Sequence, residues 1–559
     1  MLVGWVIVTS ALLYLLLLFA IASFGDRRSA NKRDAGKGRP LIYALSLAVY
    51  CTSWTYFGGV GLAAQRGFEF LAIYIGPILV FTIGMPVIRR IVTLAKEEKL
   101  TSIADFIAAR YGKNPTVAGI VALIAVIGTI PYIALQLKAV SSSVTIVMAD
   151  TPFDSRFGSF FLTDISLIVA LLLAGFAVIF GTRHADATEH QNGLILAVAT
   201  ESLVKLLAFT AVGLFATFFL FDGPADLFAK ASQNETVVAA MSYETAPARW
   251  FVLILLSAFA IIVLPRQFHV TVVENRTESE LRTARFLFPL YLIAINLFVI
   301  PIAVAGLLTF QGTGIGDQFV LLLPLAHDIP WLSLATFIGG FSAATAMVIV
   351  ASVAVAIMIS NDIVMPVLLR QNIIRRGGDL GDFTGTILII RRTSIFCVML
   401  LGYAYYRSAN INAGLASIGL LSFAAIAQFA PALLGGLIWK QANARGAIAG
   451  LSSGMFVWTY LLFVPSFGGP DNSAIAANVL GFLLPFTDAF SGSNADPFVN
   501  SVILSLSANL AMFVAGSLSR PAKPLERMQA GVFIPQRSII RPASNDWQTG
   551  ITIKQLKQT

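Results

Sequence analysis

Residues 41–63 read LIYALSLAVYCTSWTYFGGVGLA, an apolar stretch with a polar and flexible middle. An α-helix rises about 1.5 Å per residue, so a stretch of this length can cross the hydrocarbon core of a membrane. Polar residues occupy positions 51–53, and glycines follow at positions 58, 59 and 61. Small polar residues within a span are typical both of helix packing and of a binding site, and the residues alone leave both open.

The whole chain is as apolar as this stretch. Of its 559 residues, 57% are hydrophobic and 12% are charged, and the mean hydropathy is +0.81. A soluble domain has about 25% charged residues. The composition therefore excludes a soluble enzyme, a nucleic-acid-binding domain and a disordered scaffold. Cys51 and Cys397 both fall in apolar stretches, which excludes a disulfide framework. We expect an all-α polytopic membrane protein.

About 13 segments are long and apolar enough to span a bilayer. They are approximately 2–24, 41–63, 72–94, 116–148, 164–181, 193–221, 250–268, 285–308, 332–360, 386–406, 411–438, 446–466 and 498–518.

Lysine and arginine predict the orientation of these spans. Loops 26–40, 95–115, 269–284 and 361–385 and the tail after residue 518 are basic, whereas the alternate loops are acidic. Basic loops stay in the cytoplasm, so the N-terminus is predicted outside and the C-terminus inside. The net charge of +9 is then mainly a topology signal, with binding of anionic lipid as the alternative.

The chain is predicted to have three parts. Residues 1–518 form the transmembrane domain, and residues 519–544, which contain four prolines, are predicted to be a cytoplasmic linker. Residues 545–559 are expected to begin a cytoplasmic domain that the sequence truncates.

Several motifs carry a resemblance to a known family. Residues 101–112 (TSIADFIAARYG), with the span count, resemble the sodium:solute symporter family over most of residues 1–518. Residues 264–275, which contain LPRQFHV and VEN, resemble the branch of that family that is fused to bacterial sensor histidine kinases. So do residues 188–191 (TEHQ) with 201–205 (ESLVK). Residues 545–559 are similar to the small domain that joins transporter and kinase in that branch.

The resemblance implies a LeuT-type fold of two inverted five-helix repeats, with one extra N-terminal helix and two extra C-terminal helices. Spans 41–63 and 250–268 would begin the repeats and would be broken at mid-membrane. Interrupted helices at matching positions of two halves indicate a central binding site. The substrate contacts expected on this basis are Cys51, Ser53, Tyr56, Gln136, Lys138 and Ser257.

Three charges lie at lipid depth, where each costs about 2.5–3.5 kcal/mol on insertion scales. Lys205 lies roughly 18 Å into its span at ~1.5 Å per residue, and Glu201 lies one turn earlier on the same face. The two either neutralise each other structurally, or Lys205 replaces a coupling cation and exchanges a proton with Glu201. Lys138 either extends towards the membrane surface or faces the substrate cavity.

By resemblance, a cation site would lie between spans 41–63 and 332–360. The residues it implies are Val49, Thr52, Ala343, Ala346 and Met347, and a register shift would add Ser342 or Thr345. Sodium prefers hard oxygen ligands, which alanine and methionine side chains do not offer. Sodium coupling, proton coupling and no coupling therefore stay open. Glu189, at the inner mouth of span 193–221, is a further candidate for guiding cations, although a helix N-terminus attracts acids in any case.

The sequence predicts a symporter in the bacterial inner membrane that carries a small polar solute, such as an amino acid or a carboxylate. A sodium or proton gradient would drive alternating access, and Na⁺ or H⁺ would be the coupling ion, with no other cofactor and no nucleic-acid partner. The alternative is a solute-sensing input module of a two-component histidine kinase, with a kinase module and a response regulator as partners. The chain is not expected to be an enzyme, and any kinase activity would lie beyond residue 559.

Overall fold

The computed structural model describes residues 4–29, 38–148, 164–181, 191–311, 315–370, 384–409, 414–467 and 496–534, and these ranges are helical apart from their connections. Ten of the described helices are long and apolar enough to cross a membrane, or eleven if one bent pair counts as a span. The ten are Val6–Arg27, Trp54–Thr82, Pro115–Val147, Asn192–Phe218, Glu278–Thr309, Pro330–Arg370, Thr384–Ser408, Leu415–Ile438, Ala444–Phe467 and Pro497–Leu518. The expectation of an all-helical, multi-pass membrane protein is confirmed.

The difference from about 13 predicted spans comes from helices that are broken or short. The predicted span 41–63 divides into Pro40–Tyr50 and a helix that starts near Trp54. The predicted span 164–181 corresponds to Ile165–Gly181, which has 17 residues. The count of 13 and the five-helix repeats stay predictions.

The first broken helix consists of Pro40–Tyr50 and Trp54–Arg66. Its first half ends because Cys51 is extended, with φ −79° and ψ 97°. Thr52 then accepts a hydrogen bond from Trp54 N at 3.2 Å through its own side chain, which competes with helical bonding. The second half opens with the wider π-helix Trp54–Gly58.

The second broken helix consists of Pro247–Val263 and Pro265–Val273, whose axes are bent by 51°. Leu264 between them has φ −59° and ψ 129°. Proline has no N–H to donate and disfavours the helical conformation at the preceding residue, so Pro265 accounts for the break.

The Pro330–Met358 helix lies at the centre of the bundle. Within its most apolar window 94% of the residues are buried, against 22% in the N-terminal helix. It packs along Asn192–Phe218. At Gly339 a Cβ would lie 2.6 Å from Ala208 Cβ, so the glycine permits the close approach of the two helices. Asn192–Phe218 carries Lys205, which contacts the first break, and Pro330–Met358 carries the hydroxyls that contact Glu201.

A further helix, Pro524–Phe533, lies within the segment predicted to be a linker. Glu526 accepts hydrogen bonds from Lys523 N at 2.6 Å and from Ala444 N at 3.3 Å. Phe533 is buried and packs edge-on against Phe106, with ring centroids 5.3 Å apart. The chain is therefore part of the folded body as far as Phe533. Residues 545–559, expected to begin another domain, lie outside the described residues.

Arg110 holds the end of the helix Ala430–Ile438. Its side chain is buried, and it donates from Nε to Gly436 O at 2.6 Å and from Nη2 to Trp439 O at 2.8 Å. Replacing Arg110 with alanine should lower the free energy of unfolding by about 3 kcal/mol, because charge-assisted hydrogen bonds are lost and buried carbonyls lose their donor. Denaturant unfolding in detergent micelles measures this change.

The matched control is Arg89→Ala. Arg89 is half-exposed and contacts Glu278 at 3.3 Å. Screening by water limits the contribution of such a surface pair to less than about 1 kcal/mol. Equal losses of stability in the two variants would contradict the assignment of Arg110 as a helix-end clamp.

Candidate substrate and coupling site

Lys205 lies against the break of the first broken helix. Its side chain is only 1% exposed, and Nζ donates to the carbonyl oxygens of Ala48 at 2.7 Å and Cys51 at 2.6 Å. Ala48 O also accepts Cys51 N at 3.0 Å, so the ammonium uses its second lone pair. A helix C-terminus carries partial negative charge, which the ammonium offsets. Lys205 therefore holds the end of Pro40–Tyr50 in place.

Glu201 has its own partners on the Pro330–Met358 helix. It is fully buried, and Oε1 accepts a hydrogen bond from Thr345 Oγ1 at 2.5 Å. Its main-chain oxygen accepts from Ser342 Oγ at 3.0 Å, and Ser342 in turn accepts from Tyr14 OH at 2.9 Å. In the described structure no ion pair joins Glu201 to Lys205. Their hydrogen bonds go to different helices, and the mutual neutralisation considered from the sequence stays a prediction.

The Pro115–Met148 helix contributes two polar side chains to the same break. Tyr132 OH lies 3.1 Å from Thr52 Oγ1, and Gln136 Oε1 accepts a hydrogen bond from Ser53 N at 3.2 Å. The N–H of Ser53 is one of the donors that the start of a helix leaves without a partner. Tyr132 and Gln136 thus both contact the non-helical segment between the two halves of the first broken helix.

The second break approaches the first through Arg266 and Gln267. The Arg266 guanidinium lies over the Tyr132 ring, 4.2 Å from its centroid, and is 1% exposed. Gln267 Nε2 donates to Leu47 O at 3.4 Å, next to the carbonyl of Ala48 that Lys205 contacts. These contacts form one buried polar centre. It comprises both breaks, the Lys205 ammonium and the Tyr132 ring.

Two predicted substrate residues form hydrogen bonds to main-chain carbonyls of neighbouring helices instead. Tyr56 OH donates to Thr336 O at 3.1 Å, and Ser257 Oγ donates to Ala72 O at 3.1 Å. Lys138 is half-buried and interacts with Asp317. Asp317 Oδ2 also accepts from Leu415 N at 3.0 Å. These residues lie outside the polar centre.

Of the remaining predicted residues, Cys51 contributes its carbonyl to Lys205, and Ser53 its N–H to Gln136. Thr345 contributes its hydroxyl to Glu201, and Glu189 lies outside the described residues. The apolar members of the predicted cation site are all buried, and they are Val49, Ala343, Ala346 and Met347.

Sequence reasoning did not include Arg266, Gln267 or Tyr132 among the site residues. Arg266 and Gln267 were visible as part of the LPRQFHV motif but lie at the end of the predicted span 250–268. The signal that could have found them is Pro265, because a break there continues the chain as a second half-helix. No comparable signal marks Tyr132, since aromatic side chains are abundant in spans.

Comparisons with known proteins find relatives among symporters. No family model matches the chain. The uncharacterized symporter YhjB of Bacillus subtilis (strain 168) is 22% identical over 507 residues, which is 89% of this chain and 92% of the relative. The uncharacterized symporter YodF of the same organism is 25% identical over 434 residues, 76% of this chain and 80% of the relative.

A solved structure shares the fold. It is the substrate-bound, outward-open state of a Na⁺-coupled sialic acid symporter, with a TM-score of 0.61 at 14% sequence identity. The match covers 94% of this chain and 99% of that chain. The chain is similar in sequence to symporters and has the fold of one, and these findings together support a secondary transporter.

Proposed function

We propose that this chain is a symporter that carries a small polar solute across the bacterial inner membrane, with a proton in place of a sodium ion. The observation that carries the proposal is the contact of Lys205 Nζ with the carbonyl oxygens of Ala48 and Cys51. Carbonyl oxygens at the end of a broken helix are the ligands that transporters of this architecture offer to a coupling cation. Here an ammonium group of the protein itself takes that position.

The neighbouring residues do not fit a sodium ion. Sodium needs several hard oxygen ligands, and the side chains of Ala343, Ala346 and Met347 supply none. The hydroxyls of Ser342 and Thr345 donate to Glu201. The positions on this helix that the resemblance assigns to a sodium site thus carry either apolar side chains or hydroxyls that are hydrogen-bonded to Glu201.

A proton can couple the site to solute movement through Lys205. As an ammonium, Lys205 makes two charge-assisted hydrogen bonds that hold the first broken helix. As a neutral amine it would bind those carbonyls more weakly and release that half-helix. Glu201, one turn away, is the buried group on the same helix that can take up the proton. Protonation would then favour one conformation over the other, which is what coupling requires.

Uptake by purified protein in proteoliposomes tests the coupling ion. With a panel of radiolabelled amino acids and carboxylates, accumulation should persist when sodium is replaced by choline and should collapse with a protonophore. An imposed inward proton gradient should restore it in sodium-free buffer. A strict requirement for sodium would refute proton coupling, and solute binding without any uptake would refute transport.

A further inference from the structure

Arg266 carries a buried positive charge that nothing in the described structure neutralises. It ranks among the largest fully buried side chains. Its Nε and Nη2 atoms are buried and make no hydrogen bond, and no carboxylate of the described residues forms an ion pair with it. Its contact with the Tyr132 ring, 4.2 Å from guanidinium carbon to ring centroid, supplies no negative charge. An unpaired buried charge costs several kcal/mol, so this arrangement calls for an anion.

The two unpaired nitrogens lie on the same edge of the guanidinium. Nε–H and one N–H of Nη2 point in parallel, and this edge binds the two oxygens of a carboxylate in a bidentate manner. Shape and charge therefore favour a planar anion at this point.

The charge balance of the polar centre agrees with this interpretation. Its buried charged side chains in the described structure are Glu201, Lys205 and Arg266, one acid and two bases. With Glu201 ionised and with Lys205 and Arg266 protonated, one positive charge is in excess. A monocarboxylate bound to Arg266 would balance it, whereas a neutral sugar or a cation would not.

Two further buried groups at the breaks have no hydrogen-bond partner, namely Ser53 Oγ and Gln267 Oε1. Ser53 lies on the first broken helix, next to Thr52, which contacts the same Tyr132 that Arg266 covers. Buried polar groups are nearly always hydrogen-bonded in folded proteins. Unpaired groups on both breaks are accounted for if a solute binds between them.

We infer that Arg266 binds the carboxylate group of the transported solute, so that the substrate class is small carboxylates. This inference rests on the proposed function, since it assigns the solute of that transporter. The bound carboxylate would join the two breaks, because Arg266 belongs to the second broken helix and its ring partner Tyr132 contacts the first.

Ligand-induced thermal stabilisation of the full chain in detergent tests this inference. The probes are amino acids and C2–C6 monocarboxylates, each compared with its amide, which keeps the shape and removes the charge. At least one carboxylate should raise the unfolding temperature of the wild type, and its amide should not. Arg266→Gln should weaken binding of that carboxylate about 100-fold, and Arg266→Lys about tenfold, because lysine keeps the charge but loses the bidentate edge.

The matched control is Arg391→Gln, which removes another buried arginine from Thr384–Ser408, a helix without a break, and should leave binding unchanged. If Arg266→Gln does not fold, Arg266→Lys decides the test. Equal stabilisation by a carboxylate and its amide would overturn the inference. So would unchanged binding in the Arg266 variants, or no stabilisation by any carboxylate of the panel. Because the assay contains no ion gradient, sodium-driven uptake would refute the proposed coupling and leave this test intact.

Discussion

A Lys205→Met variant should lose solute accumulation almost completely, with initial uptake reduced by at least about 100-fold, or ~2.7 kcal/mol. Methionine keeps an unbranched side chain that matches the aliphatic part of lysine in length, and it removes the charge. The carbonyl oxygens of Ala48 and Cys51 then lose the ammonium that holds them, and the broken helix loses its fixed end. Loss of a charge-assisted hydrogen bond costs about 1.5–3 kcal/mol, so two such bonds account for the expected size of the effect.

Radiolabelled uptake into proteoliposomes measures this effect at equal protein incorporation. Lys230→Met is the matched control, because Lys230 is exposed, pairs with Asp226 at 2.7 Å and lies far along the chain from both breaks. It should transport like the wild type. Wild-type uptake in Lys205→Met would show that this ammonium does not hold the coupling position, and the proposal would fail.

The class of protein could be predicted from sequence because it depends on local composition. Residues 41–63 form a long apolar stretch with a polar middle. The helix is interrupted at Cys51, which is one of those polar residues. The number of continuous spans could not be predicted in the same way. Apolar character reports removal from water, and it does not report whether a helix is continuous. The helix Pro524–Phe533 was missed for the opposite reason, since its prolines indicated a linker.

The buried charges were partly predictable. Lys205 and Glu201 stood out because charged residues are scarce in this chain. Their spacing on one helical face suggested that they pair with each other, but each has partners from distant segments, Ala48 for the lysine and Thr345 for the acid. Sequence spacing describes only neighbours on the same helix, so contacts between helices stay invisible to it.

Arg266 shows why a site residue can be missed. At the end of a predicted span, an arginine is ordinarily expected to extend its charge to the membrane surface. The bend at Leu264 instead continues the chain as Pro265–Val273, and Arg266 becomes an interior residue at the start of that second half. Its role depends on a backbone angle that hydropathy does not describe.

A Glu201→Gln variant should uncouple the transporter while leaving its site intact. The amide has the shape of the acid, and its oxygen can still accept the hydrogen bond from Thr345 Oγ1. The main-chain contact with Ser342 is unaffected by the substitution. What the variant loses is the ability to take up and release a proton. Exchange of labelled for unlabelled solute, which moves no net proton, should therefore stay within about threefold of the wild type, or ~0.7 kcal/mol.

Accumulation driven by a proton gradient should fall to the equilibrium level in Glu201→Gln, with inside and outside solute concentrations about equal. Lys205 then has no acceptor for its proton on the same helix, so the proton gradient no longer biases the conformation of the site. Proteoliposomes that receive the same pH step measure exchange and accumulation side by side. Thr345→Val is the matched control, since it removes the same hydrogen bond and keeps the acid, and it should still accumulate solute. Equal loss of accumulation in both variants would assign the effect to the hydrogen bond. Wild-type accumulation in Glu201→Gln would exclude Glu201 as the proton acceptor.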